Sequence, residues 1–211
     1  IQYPNARHHI SFLHPPTFVQ NLVDMKYKFL FLFLFAASFV FGQTNYQVTN
    51  YSLAIKGTSN LHDWESSAKE VRAGGSMTLV AGVLKSVESL NVDIPVKTIK
   101  SSKGSIMDNK TYDALKANKN PNITYKLGKV TGLTKKGDGY DINATGYLTI
   151  AGATNTIDMY VRAKAGSDGS ITFSGSKKLK MTDYGIKPPT ALLGTMTTGD
   201  EVEIVFQVTL K

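Results

Sequence analysis

Over Gly57-Thr58-Ser59-Asn60-Leu61-His62-Asp63-Trp64 the chain puts an imidazole, a carboxylate and an indole on consecutive positions, with two hydroxyls just ahead of them. The chain holds four histidines and one tryptophan; His8, His9 and His14 all precede residue 25, so the body of the protein has its single His two residues from its single Trp. Such groups support acid–base or nucleophilic chemistry when a carboxylate orients the imidazole and a nucleophile lies on its other side. The spacing speaks against that here. Neighbouring residues on a strand point to opposite faces, so Asp63 can serve His62 only if the backbone turns sharply, and no serine sits in a nucleophile-elbow sequence. Two uses of His62 stay open: its ring could hydrogen-bond a ligand, or it could cap the backbone of Gly57-Thr58-Ser59 and fix a turn.

The remaining composition narrows the chemistry further. Cysteine is absent, which excludes a thiol nucleophile, a cysteine metal site and a lipoprotein anchor. With one His left, a zinc site would have to be built almost wholly from carboxylates, which zinc sites rarely are, so neither a metal nor any other cofactor is expected. The formal net charge is +8, but the lysines are scattered, without basic runs or interleaved aromatics, and nucleic acid is not an expected partner. A transient contact with a membrane surface fits the modest positive charge.

What must position these residues begins after the N-terminus. Residues 25 to 42, MKYKFLFLFLFAASFVFG, have two lysines followed by an apolar run from Phe29 to Phe41, the layout of a secretory signal peptide. Cleavage near Gly42 would release residues 43 to 211 as a single domain, periplasmic or secreted. Residues 1 to 24 begin with Ile, carry no strong periodicity and read as a mis-called or disordered leader.

From there the chain reads as strand after strand. Leu90, Val92, Ile94 and Val96 alternate with polar residues, as do Ile142 to Ile150, Ile157 to Ala163 and Val202 to Leu210; period two is the mark of a strand with one buried face. Tyr46 to Lys56, Ser67 to Val80, Asn122 to Thr134 and Ser170 to Thr182 bring the expectation to eight strands, joined at Gly-rich turns. One stretch, Asp108 to Ala117, lacks alternation and predicts a short helix capped by Asp108, with Tyr112 and Leu115 on one face. It falls between the third and fourth strands. Long strands with one apolar face each are best satisfied by closing the sheet, and eight strands close around side chains or one slender ligand. The expected fold is all-β, an eight-stranded antiparallel barrel with one inserted helix. Small inward residues, Ala144, Gly146 and Ala163, leave open whether its centre is hollow or packed.

One connection is too long to be a tether. Asp183 to Asp200, DYGIKPPTALLGTMTTGD, carries Tyr184, Ile186, Leu192, Leu193 and Met196 and is stiffened by Pro188 and Pro189. Connections of this length are uncommon and often functional, and its apolar residues should fold onto the barrel mouth or the helix.

GTSNLHDW, MDNKTYDALKANKNPNITYKL, GYLTIAGATNTIDMYV and KMTDYGIKPPTALLGTMTTGDEVEIVFQVTL follow one another as the landmarks of the YceI-like family do, over nearly all of Tyr46 to Leu210. The chain resembles that family, with GTSNLHDW similar to a variant form of the first hairpin. The resemblance implies an exported, lipocalin-like barrel that holds an amphiphilic isoprenoid-like lipid, a quinone or a prenyl phosphate, with the polar head near the mouth and no catalysis. On that reading Trp64 closes one end of the cavity and His62 meets the headgroup. Met107, Tyr112 and Leu115 of the helix and Tyr184 and Ile186 of the long connection complete the ligand site. Lys97, Lys100 and Lys103 read as a solvated basic connection. A non-binding structural or stress-related envelope protein, or a small isomerase or hydrolase using His62, are the other two classes.

Overall fold

The computed structural model describes residues 44–191 and 194–211; the leader and signal expectations, and Leu192 and Leu193, lie outside them. In chain order the strands are β1 (Thr44–Ser59), β2 (Trp64–Ala68), β3 (Arg72–Val80), β4 (Val83–Pro95) and β5 (Ile99–Ser101). After helix α1 (Ser105–Ala114) come β6 (Asn122–Lys136), β7 (Gly139–Ile150), β8 (Ala153–Ala165), β9 (Ile171–Lys180), β10 (Thr190–Ala191) and β11 (Met196–Leu210).

Eight of these strands form a ring. Neighbours run β1, β3, β4, β6, β7, β8, β9, β11, and β11 returns to β1 to close it. The closing ladder is long, from Val48↔Leu210 to Ser59↔Thr198, and antiparallel. Helix α1 sits between the third and fourth strands of this ring, as the pattern predicts. The short strands β2, β5 and β10 lie outside the ring, and all three gather at one end of the barrel with α1.

The segment Ser67 to Val80, expected as one strand, is two. β1 is longer than a single partner can match, so its first part pairs with β3 and its last part with β2, at Thr44↔Met77 and Gly57↔Trp64 respectively. Between β2 and β3 the chain crosses over at Lys69-Glu70-Val71, with Val71 buried as the anchor. The strand expected at Leu90 to Val96 is likewise only the upper part of β4, which starts directly after the Ala81-Gly82 turn.

The helix also begins earlier than its sequence signal. Gly104, at φ 86°, precedes the first helical residue, a backbone conformation that glycine accepts without strain. Asp108 is therefore not the cap but lies inside the helix, where its Oδ1 accepts the Ser101 N–H at 2.7 Å. Leu115 closes the helix, and Lys116 at φ 54° turns the chain away.

The two ends of the barrel differ. At the end where β1 starts and β11 finishes, Tyr46, Met77, Leu84, Ile171 and Leu210 are packed into a solid core, and the Leu84 N–H donates to the Tyr140 hydroxyl at 3.1 Å. The other end is covered by α1, the β1–β2 hairpin and the segment after β9. That is where the side chains stop filling the space.

Candidate functional site

Two adjoining cavities run up the barrel from the packed end. The inner chamber, about 180 Å³, is bounded by Val87, Leu127, Val130, Ala144, Met159, Phe173 and their inward neighbours. The outer chamber, about 140 Å³, lies under α1, Trp64, Tyr184 and Ile186. Ile55, Ile99, Ile123, Ile150, Leu179 and Ile204 border both, a waist of aliphatic side chains between the two spaces. Apolar cavities of roughly 150 Å³ stay dry and take up apolar molecules. Left empty, an inner chamber of about 180 Å³ would cost the fold about 4 kcal/mol, at ~24 cal/mol per Å³. Filling it with hydrocarbon restores the lost dispersion contacts.

The hairpin GTSNLHDW forms the rim of the outer chamber. Gly57 stands opposite Trp64 in the β1–β2 ladder, and a Cβ on Gly57 would run into the indole at Cζ2 and Cε2. The missing side chain lets the indole lie flat on the strand, where its Nε1–H donates to the Thr58 carbonyl at 3.1 Å. The turn is closed by Ser59: its hydroxyl donates to the His62 carbonyl at 2.7 Å and accepts the His62 N–H at 3.1 Å. The His62 ring is exposed, with Nδ1 3.4 Å from the same hydroxyl, and lies outside the lining of both chambers. Its neighbourhood is its own turn. Asn60 fastens the hairpin to β11 by accepting the Thr197 N–H at 3.0 Å and donating to the Thr195 carbonyl at 2.8 Å.

Helix α1 presents Met107, Lys110, Thr111 and Ala114 to the outer chamber, with Leu115 just past its end, the i, i+3, i+4, i+7, i+8 stripe of one helical face. Tyr112 is on another face. Its hydroxyl lies 2.8 Å from the Lys97 carbonyl and 3.0 Å from that of Ile99, to which it donates, and it accepts from Lys100 Nζ at 2.7 Å. The Lys100 ammonium also pairs with Asp108 at 3.3 Å. Tyr112, Lys100 and Asp108 thus staple the helix to β5, and of the three expected lysines Lys100 is committed to that structural task.

The Ser101 N–H holds the Asp108 carboxyl below the usual carboxylate range, with Lys100 adding to the effect against the cost of burial. A depressed folded-state pKa stabilises the fold above the unfolded carboxyl's value, and that stability is lost as pH falls through the folded one. The Ser101 amide should therefore stay protected down through about pH 4, where an ordinary carboxylate is already half protonated, and lose its protection only in more acidic solution, whereas Asp108→Ala should remove it at every pH.

The segment after β9 delivers Tyr184 and Ile186. Both are buried, Tyr184 to 2% exposure, and Lys110 Nζ ties α1 to this segment through the Thr190 carbonyl at 3.1 Å. Burial raises the Tyr184 hydroxyl pKa. The structure thus brings Trp64, Met107, Leu115, Tyr184 and Ile186 around one cavity and leaves His62 and Tyr112 out of its lining. The six waist residues were missing from the sequence-based site. Their signal is present in the alternation, which turns Ile150, the last residue of β7, and Ile204, in the middle of β11, inward.

A closed antiparallel barrel with an apolar interior and a covered mouth defines a lipocalin-like protein. More particularly, the chain belongs to the YceI-like family, whose domain model matches residues 52–210. Among solved structures it is similar to BcnA of Burkholderia cenocepacia, 21% identical over 75% of this chain and 95% of that one with a TM-score of 0.58. A polyisoprenoid binding domain from Saccharophagus degradans, implicated in plant cell wall breakdown, aligns at 13% identity over 81% and 99% of the two chains, with a TM-score of 0.61. The YceI protein of Campylobacter jejuni aligns at 23% identity over 68% and 82%, with a TM-score of 0.52. No curated protein sequence matches the chain.

Proposed function

We propose that this is an exported carrier of an amphiphilic isoprenoid-like lipid, a quinone or a prenyl phosphate, and that it performs no catalytic step. The observation that carries the reading is the pair of adjoining apolar chambers inside a closed barrel. Burial of a prenyl chain is driven by area, at roughly 25 cal/mol per Å², and needs only an apolar lining with a few polar groups at the entrance. The outer chamber has such groups in Ser66, Ser101, Thr111 and Lys110. The description of the Saccharophagus domain as polyisoprenoid binding supports the same ligand class. Export is supported by the signal-like stretch of residues 25 to 42. At 63% and 74% exposure, Leu61 and Ile106 stand ready as apolar points of contact with a membrane.

The protein carries its own probe, since Trp64 is the single tryptophan and lines the outer chamber. Titrated with vesicles containing a prenyl lipid, its emission should shift to the blue and saturate. Native mass spectrometry of protein purified from its own envelope should show the adduct. A clean apo mass together with an unmoved emission spectrum would overturn the carrier reading.

A further inference from the structure

The barrel wall between β8 and β9 is only partly laddered. Their pairing runs from Ala165↔Ile171 to Arg162↔Ser174 and stops. Continued at the same register it would set Tyr160 opposite Ser176 and Asp158 opposite Lys178. Both strands nevertheless persist: β8 stays paired to β7 up to Ala153↔Ile150, and β9 to β11 up to Lys180↔Glu201. Each is anchored along its far edge while the near edges part. The parting begins at Gly175, in a strand interior where glycine weakens pairing. Higher up, Asn155 Nδ2 donates to the Asp183 carbonyl at 2.9 Å and bounds the opening. Residues 156–161 between these limits span about 20 Å at ~3.3 Å per residue.

Across the middle of this gap lies Lys177. Alternation puts it on the inward side of β9 with Ile171, Phe173 and Leu179, and it is the one charged residue lining the inner chamber among the described residues. Its ammonium is not inside. Nζ donates to the Asp158 carbonyl at 2.8 Å, a side-chain bond in the place of a missing ladder bond. Lys177 also lines the two surface grooves outside the seam. Inner chamber and grooves share further walls, Met159 with one groove, Ile157 and Leu179 with the other. A lysine stem can lie in an apolar chamber only if its head finds water or a partner, and the seam provides the way out. At the upper end Tyr184, which borders both the outer chamber and a groove, has a buried hydroxyl without a hydrogen bond, while Asn155 directs its amide to Asp183.

We infer that the β8–β9 seam is a second, lateral mouth of the inner chamber, and that Lys177 there holds the anionic oxygens of an amphiphile whose chain lies inside. The inference rests on the carrier reading above. The ammonium exchanges a neutral carbonyl for a phosphate or carboxylate oxygen, and a hydrogen bond with both partners charged is the stronger. The Tyr184 hydroxyl offers a further donor at the same opening.

Two variants test this. Lys177→Met should weaken geranylgeranyl phosphate about 10-fold or more and leave geranylgeraniol unchanged; palmitate, measured beside them, tells a carboxylate head from a phosphate. Weakening of the alcohol and the phosphate alike, or of neither, would overturn the headgroup role. Because the chain has no cysteine, Tyr160→Cys with Ser176→Cys places a single bridge across the seam just above its last pair. Oxidation should slow uptake and release of geranylgeranyl phosphate about 10-fold with affinity kept, and dithiothreitol should restore the rates. Equal rates in the two redox states, with wild-type uptake intact, sink the lateral mouth alone. If the wild-type protein takes up none of the three probes, the carrier reading falls with it.

Discussion

Gly57→Ala should destabilise the barrel by about 2–4 kcal/mol and lower its melting temperature by roughly 5–15 °C. Ala is small and Gly57 sits in an ordinary strand, so propensity alone would make the change neutral or mildly favourable. The indole decides the sign. Trp64 lies against the bare Cα of Gly57, and the added methyl would have to occupy ring atoms. The ring cannot lift away cheaply, because its Nε1–H is held by the Thr58 carbonyl and its strand is fixed by four pairs to β1. In a Trp64→Ala background the obstruction is gone, and Gly57→Ala should be neutral or stabilising by up to ~1 kcal/mol, through the lower entropy of the unfolded chain. A thermal or urea denaturation cycle over the four proteins measures the coupling, expected at about 2 kcal/mol or more. Additive effects would mean that the indole does not rest on Gly57.

This pair also shows how much the sequence says about the stretch Gly57 to Trp64. The co-occurrence of the only Trp with a lone His points toward chemistry, whereas the property that organises the stretch is the cross-strand pairing of Gly57 with Trp64, which depends on register. Register follows from the turn, and the turn is set by Ser59 and the His62 backbone, contacts that no periodicity announces. The alternation argument does not reach His62 and Asp63, because both lie on the hairpin tip between β1 and β2 rather than on a strand; they are exposed there, and the His62 ring lies beside the Ser59 hydroxyl.

The barrel itself was legible because period two is a property of each strand taken alone. The eight antiparallel strands, their closure and the helix between the third and fourth ring strands follow from that pattern and from the turns. The helix face was harder. Met107 and Tyr112 are five residues apart, about 140° around a helix at ~100° per residue, so both could not face one cavity; reading Tyr112 with Leu115 hid this. Placing the cap at Asp108 had the same root, since Asp is a favoured cap and only the tertiary bond to Ser101 reveals its other use. Lys177 is hidden in the sequence for the opposite reason. Its inward parity is plain in ITFSGSKKLK, but one lysine in an alternating strand reads as surface until the wall beside it is seen to part.

Ala144→Phe should abolish uptake of a prenyl lipid while leaving the melting temperature unchanged or raising it. Introducing a large side chain into a filled core forces strain costing about 1–3 kcal/mol; introducing it into an empty apolar chamber buries a ring where contacts were missing. Ala144 is buried, faces inward on β7 and borders the inner chamber, whose volume of about 180 Å³ leaves room for a phenyl ring. Stability and binding are thus expected to move in opposite directions, a combination that neither a packed structural barrel nor general misfolding produces. A packed interior predicts a lower melting temperature, and there would be no uptake to lose. Trp64 emission against prenyl-lipid vesicles reads the binding and calorimetry reads the fold. A variant that melts as the wild type does and still takes up the lipid would place the ligand outside the inner chamber, against the waist or under α1, and would leave the barrel's depth without a role.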